Sequence, residues 1–203
     1  MELILILTVI TVGGFSLFTY IFKKLRFKKI LTLLQQQQYD EFDKIVDSWS
    51  SRYLFPHFNI EYLKLNSYIL RGDESKIDKS FDTLFTIKMT MPQKQDVYMK
   101  AFNYYVGLEN KHKTKELIEV IEGFDNEEMK KEARTIYDVF ILKRSNYIEE
   151  MEANLKDQDD AEKGITEYLL SVQYENKGNR KKAEEYLELS KSHLRDPEET
   201  TAE

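Results

Sequence analysis

Twenty consecutive residues without a formal charge, Leu3 to Phe22, stand near the start of this chain, and a basic cluster follows at once. A helix rises 1.5 Å per residue, so such a run is about 30 Å long, the thickness of a bilayer's hydrocarbon core. A single segment in lipid has to satisfy its own backbone hydrogen bonds, which leaves the helix as its form. Lys23, Lys24, Arg26, Lys28 and Lys29 come directly after it, and Glu2 is the only charged side chain before it. A secretory leader has the opposite order, basic residues first and a small-residue cleavage site afterwards. The reading is therefore an uncleaved transmembrane anchor over 1–22 and a basic juxtamembrane collar over 23–29. The positive-inside rule puts the collar and all that follows on the cytoplasmic face of the cell membrane, with the N-terminus outside. The five collar residues are expected against anionic lipid headgroups, each contributing about 1 kcal/mol near the surface.

The remainder has the opposite charge. Residues 30–203 hold 25 Lys and Arg against 35 Asp and Glu. An acidic domain is repelled by phosphate backbones, so a nucleic-acid partner is not expected. The chain has no cysteine, which removes disulfides, thiolate nucleophiles and cysteine metal sites. Seven glycines and three prolines are too few for the many turns of a strand-rich fold. Long helices joined by short loops are expected instead.

The apolar residues recur in steps of three and four. Ile30, Leu31, Leu33 and Leu34 continue the helical pattern of the anchor as far as Gln35–Gln38. Tyr39, Phe42, Ile45, Val46, Trp49 and Tyr53 make one amphipathic stripe, which Pro56 ends. A stripe through Tyr62, Leu65 and Ile69 stops at Gly72. Ser75 with Asp78 reads as a capping box opening the helix of Ile77, Phe81 and Leu84. Thr90-Met91-Pro92 reads as a break and restart. Val97 to Leu108 is apolar most of the way round, as a helix covered on two sides would be. Asn126 caps a helix with Glu127 and Glu128 in its first turn. Asn146 with Glu149 starts another, Asp157–Asp160 reads as an acidic loop, and the stripe from Ile165 to Val172 ends at Gly178. Asn179 caps the last helix, and residues 198–203 read as a disordered tail.

The turns between paired helices fall near Gln38, Gly72, Asn110, Ser145 and Gly178, a period of about 34 residues. In the last unit Tyr174, Gly178, Asn179 and Ala183 stand in the order aromatic, turn glycine, cap, small residue. Leu187 and Ser190 continue it. On these residues, 30–197 resembles a divergent tetratricopeptide-like domain. Phe42 and Ile77 occupy positions where that family has a small residue. The resemblance implies an all-α architecture: one N-terminal membrane helix, then an α-solenoid of about five helical hairpins stacked on their neighbours. It also implies a concave surface lined by the first helix of each hairpin, where a peptide segment would bind. With Asn110 as the register mark, Lys100 and Tyr104 face that groove. With Gly178 as the mark, Tyr168, Val172 and Glu175 do.

Catalytic and metal-binding patterns are not found in the sequence. His57, His112 and His193 lie far apart and make no zinc-ligand spacing. The acids Asp157, Asp159 and Asp160 suggest calcium, but Glu162 stands where the loop glycine belongs and Tyr168 where the terminal Glu belongs. Arg71-Gly72-Asp73 spells an adhesion tripeptide, yet Gly72 has a helix-ending role. No catalytic residue, metal or cofactor is assigned, and the chain is not read as an enzyme. The expected function is a membrane-anchored scaffold or adaptor that binds a protein partner or peptide at the cytoplasmic face. The alternatives are an extracytoplasmic chaperone or accessory factor for secreted proteins, and a structural protein that self-associates through its repeats.

Overall fold

A computed structural model describes residues 2–194, with side chains from Thr19 onward. The tail expected at 198–203 lies outside the described residues, and so do the side chains of the apolar run up to residue 18. Eleven α-helices and no strand occur among the described residues: α1 (Glu2–Gln35), α2 (Tyr39–Val46), α3 (Trp49–Leu54), α4 (His57–Arg71), α5 (Glu74–Thr86), α6 (Met91–Gly107), α7 (Lys111–Glu122), α8 (Glu127–Ile136), α9 (Ile148–Asn154), α10 (Asp160–Asn176) and α11 (Arg180–Leu194). The all-α class expected from the scarcity of turn residues is therefore observed. Among the described residues no helix is long and apolar enough to cross a membrane. Helix α1 is continuous through the basic collar, as the unbroken pattern into Ile30–Leu34 predicts.

Five residues take a left-handed backbone among the described residues: Gln37 (φ 56°), Gly72 (67°), Glu109 (50°), Lys143 (54°) and Gly178 (80°). They lie about 35 residues apart, one at each expected hairpin turn. At Gly72 the turn is closed by its own N–H to Ile69 O and by Asp73 N–H to Tyr68 O, at 3.1 Å each. A left-handed residue reverses the chain after a helix and satisfies its last carbonyls. The period of the sequence is thus a period of backbone reversals.

The chain divides into two compact units, Met1–Lys94 and Gln95–Glu203. In the first, Ile30 and Leu33 of α1 pack with Phe42 and Val46 of α2, Phe55, and Ile60 and Leu63 of α4. Each such side chain taken out of water contributes about 1.5–3 kcal/mol. Phe81 and Leu84 of α5 are fully buried. The Arg71 guanidinium closes the unit's polar side. It donates to both Asp43 oxygens, at 2.8 and 2.6 Å, and lies over the Tyr39 ring at 4.6 Å. The adhesion-like tripeptide therefore has its arginine engaged inside the fold.

The stripe from Tyr39 to Tyr53 is not one helix. Ser48 adopts an extended backbone (φ −63°, ψ 147°) and caps α3, accepting from Ser51 N–H. The break turns Trp49 and Tyr53 outward, 79% and 75% exposed, while Phe42 and Val46 remain fully buried. Two further helix starts differ from expectation. Asp73, not Ser75, caps α5 by accepting from Lys76 N–H. Helix α9 begins after Tyr147 with no side-chain cap, so Asn146 does not serve it.

In the second unit, α10 and α11 form the tightest hairpin. Gly164 lets them approach: a Cβ there would stand 2.6 Å from Leu194 Cγ. Ser190 donates to Gly164 O at 2.7 Å. The rings of Tyr174 and Tyr186 stack 5.6 Å apart, and both hydroxyls donate to Glu152 of α9, at 2.6 and 2.8 Å.

A candidate partner-binding cleft

The second unit contains a cleft of about 1000 Å³ walled by α6, α8 and α10, the first helices of three successive hairpins. Its apolar surface comes from Val106 of α6, Ile136 and Phe140, and Ile165, Tyr168 and Leu169 of α10. Ile165 is 58% exposed and Tyr168 44%, although both sit on the apolar stripe of α10. The fully buried side of that helix is carried by Leu170 and Gln173.

Local chemistry fixes each wall. Helix α8 passes at Tyr137–Ile141 into a π-helical turn, with Leu142 N–H donating to Tyr137 O at 3.0 Å. The extra residue of such a turn shifts the helical register, and Phe140, which lies in it, lines the cleft, its ring 6.1 Å from that of Tyr168. Asn176 of α10 donates to the carbonyls of Val139 and Arg144, at 2.9 and 3.0 Å. Gln173 accepts from Tyr147 N–H at 2.9 Å. These bonds tie α10 to the end of α8 and hold the two walls in register. Asp159 and Glu162 form a reciprocal capping box at the start of α10. The Asp157–Asp160 stretch is therefore in part a helix start, and its Asp-x-x-Glu spacing is the signal that the sequence carried for it.

The rim is acidic. Glu109, Glu128, Glu132 and Glu162 line it, with Lys131 the one basic side chain among the lining residues. Lys131 is engaged by Glu150 at 2.8 Å, and Glu109 by Lys143 at 2.9 Å. The nearby basic residues Lys130, Lys131 and Arg134 pair with Glu127, Glu150 and Glu122 rather than with Glu128 or Glu132. Glu132 is exposed by surface area, yet burial, together with the negative charge of Glu128, holds its carboxyl above the ordinary value of 4.5. Gln158 Oε1 is buried at the same cleft and accepts no hydrogen bond. The arrangement suits a ligand with apolar anchors and positive charge. Among the described residues no three His, Asp or Glu side chains converge as a metal ion would need.

Of the groove residues expected from sequence, Tyr168 lines this cleft. Lys100 and Tyr104 lie half-buried on α6, where Asn103, Val106 and Gly107 line the cleft instead. The two sets differ by three residues, a rotation of about 60° around the helix at 3.6 residues per turn. Val172 is half-buried, and Glu175 borders a separate, smaller depression with Arg180 and Glu184. The collar residues Lys23, Lys24, Lys28 and Lys29 are exposed, while Arg26 turns back to donate to Ser48 and Ser51.

No family model matches the chain, and no curated protein or solved structure does either. The resemblance to tetratricopeptide repeats rests on the residues and their period alone.

Proposed function

We propose that the chain is a membrane-anchored helical-repeat scaffold whose cleft binds a segment of a protein partner at the cytoplasmic membrane face. The observation that carries this reading is the cleft itself, apolar within, acidic at its rim, and built from the first helices of successive hairpins. In tetratricopeptide-like stacks that is the surface where peptides bind. A helix ~10 Å wide occupies ~850 Å³ over two turns, so about two turns of a partner helix fit the volume. The acidic rim favours an amphipathic segment flanked by Lys or Arg. The anchor is supported by the run Leu3–Phe22 and the basic residues after it. Holding the cleft beside the bilayer raises its effective concentration toward membrane partners, which makes a modest affinity sufficient.

The test is a crosslinked pull-down of the full chain from native membranes, beside the variant Ile165→Asp with Tyr168→Ala. The reading expects a partner that is lost from the variant while the variant stays folded and membrane-bound. A partner retained in full by the variant would remove the cleft from the account. Recovery of the chain alone would favour self-association. A reporter fused after Glu203 and active only outside the cell would favour the extracytoplasmic chaperone.

A further inference from the structure

Helix α3 is fastened alongside the basic collar of α1. Arg26 donates from Nη2 to Ser48 Oγ at 2.6 Å and from Nε to Ser51 Oγ at 2.9 Å. The rings of Phe27 and Phe55 lie 6.0 Å apart, and the Lys23 ammonium stands 5.7 Å from the Phe55 ring centre. The two ends of α3 are therefore held against residues 23–27 of α1.

Among the described residues nothing covers the outer side of α3. Trp49 and Tyr53 are four residues apart, so they share one face, and both are more than 70% exposed. Tyr20, Ile21, Phe22 and Leu25 of α1 are exposed as well. Lys23, Lys24, Lys28 and Lys29 of α1 and Arg52 of α3 are exposed, Arg52 standing 3.7 Å from Asp47.

Depth decides what covers such a patch. Arg26 is four residues beyond Phe22, which is about 6 Å along a helix. If the apolar run fills the hydrocarbon core, the headgroup layer occupies about the next 5–7 Å. Helix α3 would then lie at the level of the headgroups. Tryptophan and tyrosine are enriched at that level, because each has an apolar ring and a polar tip. Basic side chains at the same level meet anionic lipid.

We infer that α3 is an interfacial foot: Trp49 and Tyr53 insert into the headgroup layer of an anionic bilayer beside α1, and Arg26 locks α3 to the anchor. This inference rests on the reading of α1 as a membrane anchor. It adds an orientation to it. A chain held by α1 alone swivels on its anchor, whereas a second point of attachment fixes the pitch of the first unit against the membrane.

Trp49 is the only tryptophan of the chain, so its fluorescence reports this site alone. The full chain is reconstituted into vesicles of phosphatidylcholine and phosphatidylglycerol, with bromine carried either near the headgroup or near the chain ends of the lipid. The expected result is a blue-shifted emission that shallow bromines quench more strongly than deep ones. The paired substitution Trp49→Phe with Tyr53→Trp moves the probe by one turn and should give the same pattern. A chain that floats with the vesicles but shows water-like, unquenched emission at either position overturns the foot and leaves the anchor standing. Stronger quenching by deep than by shallow bromines also overturns it. A chain that does not float with the vesicles removes the anchor, and the foot with it.

Discussion

Arg26 donates from Nε to the hydroxyl of Ser51, a fully buried side chain, at 2.9 Å. A residue of the basic collar thus works inside the fold, and its second arm reaches the Ser48 cap of α3. Arg26→Ala should lower stability by about 1.5–3 kcal/mol, the usual range for hydrogen bonds to charged groups. Arg26→Lys should recover little, because one ammonium cannot reproduce the two-armed geometry. Chemical denaturation of the full chain in a mild detergent checks both. Lys28→Ala, at an exposed position of the same collar, should leave stability within about 0.5 kcal/mol.

The left-handed turns give a second prediction, with a sign that depends on the residue type. Gln37 and Gly72 hold the same kind of backbone, φ 56° and 67°. Side chains other than glycine are disfavoured there by about 1 kcal/mol. Gln37→Gly should therefore raise stability by about 0.5–1 kcal/mol, and Gly72→Ala should lower it by about 1 kcal/mol. No atom outside the local turn lies within 4 Å of a Cβ built at Gly72, so its penalty is conformational rather than steric. Thermal melts of the two variants read the difference.

The same turns explain how much of the fold was legible. Three of the five reversals fall on Gln37, Glu109 and Lys143, which carry no glycine signal. They could be placed only from the spacing of apolar stripes, and that spacing put the hairpin turns close to where they are. What spacing could not give was a break inside a stripe. Trp49 and Tyr53 keep the three-and-four rhythm of Phe42 and Val46, yet the extended backbone at Ser48 sends them to the outside. The serine cap that causes it is a single residue inside the stripe, which apolar periodicity does not read. The cleft was legible in kind, since it is lined by first helices and includes Tyr168. Its α6 wall lies a 60° turn away from Lys100 and Tyr104, because a turn residue marks a helix end but not its rotation about its own axis. The π-helical turn at Tyr137–Ile141, the setting of Phe140, has no sequence signal that periodicity can read.

Glu152 supplies a pH dependence. Hydrogen bonds from Tyr174 and then Tyr186, with the positive charge of Lys182, outweigh its burial and hold its carboxyl below the ordinary value of 4.5. A carboxylate whose value is depressed on folding stabilises the folded state above its unfolded value, and that contribution is lost as pH falls through the folded value. The wild type should therefore lose stability below about pH 4.5 more steeply than Glu152→Gln does. At neutral pH the substitution should lower stability by about 1–2 kcal/mol, the partial exposure of the group being allowed for. Denaturation midpoints taken from pH 7 down to pH 3 give the comparison.

The acidic rim makes a prediction of the opposite sign. Glu132 has a raised carboxyl value, so its ionisation is slightly unfavourable in the folded state. Glu132→Gln should leave stability at pH 7 unchanged or higher, whereas Glu128→Gln removes its neighbour's repulsion but also an acid from the first turn of α8, and should leave stability within about 0.5 kcal/mol. Both substitutions should weaken capture of a basic amphipathic segment and flatten its dependence on salt. Titration of a labelled Lys-flanked helical peptide with the full chain in detergent, at two ionic strengths, reads both effects. Equal affinity in wild type and in a variant carrying both Glu128→Gln and Glu132→Gln would remove charge from the recognition.

The most direct measurement is site-specific photo-crosslinking in native membranes. A photoreactive amino acid is placed at Ile165, an exposed position on the cleft wall, and in a parallel sample at Leu189 of α11, exposed but not among the cleft-lining residues. Mass spectrometry then maps the crosslinked peptide. One protein adduct is expected from position 165, absent from position 189, on an apolar stretch flanked by Lys or Arg. Adducts of the same kind from both positions, or none from 165 while 189 reacts, would contradict the cleft as the docking surface.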